Sequence, residues 1–367
     1  MRINTPTDAF WGPPSSKANF CEQDYVVTRY VAEFINSLTN LCYIFYAIYG
    51  LRRLQQTGSI GFSRVLPYGG LMAVGLCSAI YHISLQYHTQ MLDDLSMLFT
   101  TTPLLHRVLT VNANRKDSII AGAVIYVALS LLVIYHVTTD ELIIHASFFV
   151  SSITIIGIRT IQLLKQRTTE NSTARRQIWG MVVFGAGIFH LGYIVWLVDS
   201  WACEWLTSAR AAIGLPWAWL LELHGWWHLF TGIGAYTFIA VIDQLVSSED
   251  HQDIDANFAW PASWASQSIF AGVASTMVGL AEEAVNRQGL FGQKESVRRW
   301  FQRACLYLQA VRSQGKAQAG IEEAYNPLIT TELTHNATTP SPPPEATSLG
   351  PFSSIASLRT LTPRPTS

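Results

Sequence analysis

Charge is what this chain has least of. Only 13% of its 367 residues are Asp, Glu, Lys or Arg, about half the share of an ordinary soluble domain, while 49% are hydrophobic. That shortage argues against a typical cytosolic protein. The first 29 residues have no apolar stretch behind their basic residues, so no cleavable signal peptide is expected. No internal repeat is evident, which sets repeat arrays aside. No nucleic-acid partner is expected.

What the chain does have is long apolar runs. Crossing roughly 30 Å of hydrocarbon takes about 20 apolar residues, and seven candidates are found: Ala32–Leu51, Val65–Ser84, Met91–Val111, Ile119–Val137, Leu142–Leu163, Ile178–Leu197 and Trp217–Val246. The third is the weakest, because it carries Asp93, Asp94, His106 and Arg107. The expected fold is therefore all-α, a seven-transmembrane helix bundle.

Loop charge sets its orientation. Arg52, Arg53, Arg64, Arg107, Arg115, Lys116, Arg159, Lys165, Arg167, Arg175 and Arg176 fall on one side, against Arg2, Lys17, Arg29 and Arg210 on the other. By the positive-inside rule the N-terminus is lumenal or extracellular and the C-terminus cytosolic. The sequons at Asn171 and Asn336 then face the cytosol, and neither is expected to be glycosylated.

Four regions follow. Residues 1–31 form a lumenal N-terminal segment, 32–246 the helical membrane domain, 247–325 a cytosolic segment and 326–367 a Pro/Ser/Thr-rich tail. Within the third, Lys294, Arg298, Arg299 and Arg303 lie near Trp300 and Phe301, a pattern that fits an amphipathic helix on the cytosolic leaflet or a plain solvated one. The tail has too few apolar groups to offset chain entropy and is expected to be disordered.

The chemistry concentrates in His224-Gly225-Trp226-Trp227-His228. Imidazoles four residues apart share a helix face, and at membrane depth each needs a partner, which a transition metal such as zinc would supply. With a lumenal N-terminus, Ser78, His82, Asp93, His224 and His228 all come to one level. Three imidazoles and an open water position are a hydrolytic zinc arrangement. His82 and His88 compete as third ligand. His106, His145 and His190 have no metal-binding neighbour one turn away and are read as structural. Gly225 replaces the glutamate of an H-E-x-x-H motif, so the base must come from elsewhere. Asp93 leads, although it could simply cap its helix.

These residues match a family. Trp11-Gly12-Pro13, the stretch Asn19 to Tyr25, Glu33-Phe34-Ile35-Asn36, Ser78 to His82, Gln90 to Leu95 and the HGWWH run together resemble the alkaline ceramidases over residues 9–246. The resemblance implies a seven-helix integral membrane hydrolase of the endoplasmic reticulum or Golgi. Its substrate would be ceramide, phytoceramide or dihydroceramide, cleaved at the amide to a sphingoid base and a fatty acid by a zinc-activated water. It makes His82, His224 and His228 the zinc ligands and Ser78 and Asp93 the polar residues beside the metal. It also implies a calcium site from Asn19, Phe20 (through its carbonyl), Glu22, Asp24 and Glu33. Here Asn19 stands where Asp is common and Asp24 where Asn is common, which keeps the carboxylate count.

Of the five cysteines, Cys21 and Cys203 both fall on the oxidising side, so a disulfide is feasible, and the family pattern supports it. Cys42, Cys77 and Cys305 are expected to be reduced. Seven of twelve tryptophans lie between Trp196 and Trp227 and read as an interfacial belt. Two rival functions remain at this level. A progestin/adiponectin-type receptor or other lipid hydrolase could use a similar zinc site, but the acidic N-terminal cluster argues against the receptor. A transporter would spread its polar residues through the membrane depth.

Overall fold

The computed structural model describes residues 9–58, 60–170, 172–247, 257–267 and 271–279. Asn171 and Asn336 of the two sequons, Cys305, the basic stretch around Trp300 and the whole tail lie outside the described residues. Among the described residues there is no strand beyond an isolated bridge between Thr28 and Val31.

The helices are α1 (Phe34–Thr39), α2 (Leu41–Gln56), α3 (Phe62–Ser84), α4 (Tyr87–Thr110), α5 (Arg115–Thr139) and α6 (Leu142–Arg167). They are followed by α7 (Thr173–Trp201), α8 (Cys203–Ile213), a 3-10 turn (Trp217–Leu221), α9 (Leu223–Ser247) and α10 (Ala262–Ser266). Taking α1 and α2 as one span, six helices are long and apolar enough to cross a membrane. Helix α4 is also long, but its polar content, Asp93, Asp94 and Thr100 to Thr102 included, leaves it less apolar than that set.

Local chemistry sets the helix ends. Asn114 caps α5 by accepting the Asp117 N–H, Glu141 caps α6 through Ile143 and Ile144, and Ser172 caps α7 through Arg175. Leu85, left-handed at φ 51°, ends α3. Two boundaries differ from expectation. The seventh apolar run does not form one helix from Trp217, because Glu222, at φ −82° and ψ 81°, separates the 3-10 turn from α9. The loop expected around Cys203 is helix α8. In the first case apolar composition continues across a backbone break that hydropathy does not register; in the second a short amphipathic helix carrying Glu204 and Arg210 is too polar to be read as a span.

Helix α9 lies at the centre, packed against α7 and α2. Its close approach to α1 favours glycine at position 225, where a Cβ would meet Ile35 Cγ2 at 3.0 Å and Thr39 Cγ2 at 3.3 Å. At the far end, buried Asp243 of α9 accepts two bonds from Arg64 of α3, at 2.8 and 2.6 Å, and one from Arg107 of α4 at 3.0 Å. This bidentate pair with a second arginine ties three helices together.

The N-terminal segment is bound to the bundle. The amides of Ser15 and Ser16 donate to the Leu85 carbonyl, and those of Ala32 and Glu33 to Ile83 and His82 at the end of α3. Tyr25 and Ala32 pack on Tyr81 and Leu85 in a small apolar cluster. After α9 the chain folds back into the bundle. Phe258, Ala259, Ala262 and Ala265 are buried, and α10 lies on α7 so closely that a Cβ on Gly180 would stand 2.2 Å from the Ala265 carbonyl. This start of the segment expected at the cytosolic leaflet is therefore packed core.

Candidate metal centre

His82 comes from the last turn of α3, and His224 and His228 from the first two turns of α9. All three are buried, with ring centroids 4.6 to 5.1 Å apart. One ligand nitrogen from each lies within 4.8 Å of the other two, and among the described residues no other three His, Cys, Asp or Glu side chains come so close. Nitrogens around a tetrahedral zinc at 2.0–2.1 Å stand about 3.4 Å apart, so a small closure of the rings would suffice.

The nitrogens support that fit. His82 Nε2 and His224 Nδ1 are buried without a hydrogen-bond partner, a costly state unless something binds them. The other side of His82 is held. Its Nδ1 donates to Glu33 Oε2 at 2.5 Å, which fixes the tautomer and leaves Nε2 as a free lone pair. For His228, Nδ1 donates to Thr39 Oγ1 at 3.0 Å while that hydroxyl donates to the Ile35 carbonyl. Phe20 stacks on His224 with centroids 3.6 Å apart.

Ser78 lies one turn before His82 on α3 and is buried. The Asp93 carboxyl, on α4, lies near its hydroxyl. His88 sits exposed in the first turn of α4, away from the histidine group. His106, His145 and His190 each face a backbone carbonyl, of Ser118, Asp94 and Ala186 respectively.

The N-terminal acids form a connected layer above the histidines. Glu22 accepts the α1 amides of Ile35 at 2.7 Å and Asn36 at 2.8 Å. Glu33 accepts the Phe20 amide and the Asn36 side chain as well as His82, and Asp24 accepts from Asn19. Burial, with the Glu33 charge as a smaller contribution, pushes Glu22 up to about 7 and Asp24 up to about 6. Buried acids that repel one another, with the Asn36 Oδ1 acceptor left unpartnered beside them, suit a hard oxygen-loving cation such as calcium. The three carboxylates do not gather as tightly as the histidines do.

Cys21 and Cys203 form a disulfide, while Cys42 and Cys77 are free thiols. Sequence reading passed over the residues that brace this region. Buried Asp199, in the last turn of α7, accepts the Cys21 amide on one oxygen and the His224 amide on the other, each at 3.2 Å. Arg210, counted above only as a loop cation, donates to the Cys21 carbonyl at 2.6 Å and to Glu222 at 2.7 Å. An acid at the end of an apolar span was the available signal for Asp199. Thr39 and Asn36 gave none, because their roles depend on the packing of α1 against α9.

The family model described as Ceramidase matches residues 12–271. An alkaline ceramidase of Saccharomyces cerevisiae is 31% identical over 264 residues, covering 68% of this chain and 83% of the yeast protein. Alkaline ceramidase 3 of Mus musculus is 27% identical over 235 residues, covering 63% and 84%. An alkaline ceramidase of Drosophila melanogaster is 25% identical over 237 residues, covering 62% and 77%.

Proposed function

The chain belongs to the alkaline ceramidase family of multi-pass membrane proteins, and on that premise we propose that it hydrolyses the amide bond of ceramides, releasing a sphingoid base and a fatty acid. The observation that carries this reading is the meeting of His82, His224 and His228 in one buried group, with Ser78 one helix turn before His82 on α3 and Asp93 of α4 beside Ser78.

The three imidazoles would hold zinc, which supplies a water acidic enough to attack near neutral pH. Asp93 takes a proton from the attacking water as its oxygen bonds to the amide carbon. It then returns that proton to the nitrogen as the carbon–nitrogen bond breaks, so the base leaves as a neutral amine. Ser78 donates a hydrogen bond to the oxygen of the tetrahedral carbon, where negative charge develops. Glu33 and Thr39 keep His82 and His228 in the tautomers that present Nε2. Asn19, Phe20, Glu22, Asp24 and Glu33 would hold calcium, which ties the N-terminal segment to α1.

The proposed bundle crosses the membrane seven times, α4 included, because α3, α5, α6 and α9 pack around that helix. Its N-terminus faces the lumen of the endoplasmic reticulum or Golgi, where an oxidising environment accommodates the Cys21–Cys203 bond. The test is metal analysis of the purified protein combined with sphingoid-base release from a panel of ceramide, dihydroceramide and phytoceramide. Stoichiometric zinc and release from a panel member are expected. A metal-free protein that is fully active would overturn the mechanism, and no release from any panel member would overturn the substrate.

A further inference from the structure

A second pair of buried imidazoles lies where α4, α5 and α6 meet, and the reaction described above does not use it. His136, near the end of α5, stacks on His145 of α6 with centroids 4.6 Å apart and planes inclined by 25°. Both rings grip Asp94, the residue after Asp93. His145 Nε2 donates to the Asp94 carbonyl at 3.0 Å, and His136 Nε2 lies 3.1 Å from Asp94 Oδ2. The other nitrogen of His136 lies 3.0 Å from the Glu141 carbonyl.

A carbonyl and a carboxylate only accept hydrogen bonds. With an acceptor against each nitrogen, the His136 ring donates from both and is an imidazolium paired with Asp94. The surrounding charges agree with that assignment. Asp140 has Lys17 at 3.2 Å, and the Glu141 carboxylate is taken up by the Ile143 and Ile144 amides. Gln90 bridges Asp94 and Asp140 as a neutral donor. His136 is thus the cation available to Asp94.

Successive helical residues point about 100° apart, since a turn takes about 3.6 residues. Asp93 accordingly turns toward Ser78 on α3 while Asp94 turns toward α5 and α6. We propose that His136 is a positioning residue for the hydrolysis: with His145 it holds Asp94 by side chain and by carbonyl, and so sets the turn of α4 from which Asp93 reaches the reacting groups. The proposal rests on the reading of Asp93 as the proton carrier.

The test uses the full-length, zinc-loaded protein and two polar replacements. Glutamine at 136 keeps an N–H donor where Nε2 meets Asp94, whereas asparagine keeps one only where Nδ1 meets Glu141. His136→Asn should lower kcat about 10- to 100-fold, the scale of a misplaced catalytic group, with KM within about threefold and zinc content unchanged. His136→Gln should stay within about fivefold of the wild-type kcat. His136→Asn combined with Asp94→Asn should be no slower than the slower single variant, because both act through one contact. Equal kcat in the two His136 variants, or a multiplicative loss in the double variant, would overturn the proposal. Asp93→Asn, run alongside, separates the two ideas: wild-type kcat there would remove the reading of Asp93 itself.

Discussion

Glu33 touches the metal-site ring and the N-terminal segment with one carboxylate: Oε2 lies 2.5 Å from His82 Nδ1, and Oε1 accepts the Phe20 amide. Partners of this kind orient a ligand and raise its basicity, and losing one typically costs 10- to 100-fold in metal affinity. Glu33→Gln should weaken zinc binding on about that scale in a competition with a chromophoric chelator. Unchanged affinity would mean that His82 is oriented by packing alone.

The histidines themselves should be less forgiving. His224→Ala or His228→Ala is expected to abolish sphingoid-base release and bound zinc together, because two remaining imidazoles hold the ion poorly. Thr39→Val removes only the acceptor behind His228 and should give a partial loss of zinc affinity. Wild-type turnover in either alanine variant would sink the metalloenzyme reading.

Asp93→Asn keeps size while removing the proton acceptor. Zinc content should hold while kcat drops by roughly the 10²–10⁴ associated with losing general acid–base catalysis. Loss of zinc along with rate would instead make Asp93 a ligand.

The acidic layer gives a pH-dependent prediction with a definite sign. Burial is the main reason that Glu22 stands at about 7 rather than 4.5 and Asp24 at about 6 rather than 3.8. Without calcium, the folded state binds more protons than the unfolded state between those limits, so its melting temperature should fall as pH rises from about 4 to 7. Bound by those carboxylates, calcium would compete with the protons. Its stabilisation should therefore be full near pH 8 and disappear as pH falls through 7 and 6, with activity following. Glu22→Ala should abolish the calcium-dependent shift. Melting curves that do not respond to calcium at pH 8 would reduce the cluster to a buried acidic patch.

Asp199 allows a test of the scaffold apart from the chemistry. Asp199→Ala leaves the buried amides of Cys21 and His224 without their acceptor, at about 1–3 kcal/mol each. A lower melting temperature, with the Cys21–Cys203 bond still formed, is the expected result. An unchanged melting temperature would show that water replaces the carboxylate.

The sequence alone determined the all-helical class and the long apolar runs, because period and composition are local properties of the chain. It also set His224 and His228 apart, since i, i+4 spacing fixes a helix face whatever the surroundings. The tertiary structure chose between His82 and His88, which are six residues apart and chemically identical: one closes α3 inside the bundle, and the other is exposed on α4. It also decided the break at Glu222 and the return of residues 257–267 into the core. Asp199, Thr39 and His136 acquire their partners only when α1, α4, α5, α6, α7 and α9 are brought together. Hydrogen bonds between residues such as Asp94 and His136, 42 positions apart, depend on where helix packing places each donor, and a one-dimensional pattern carries no such distance.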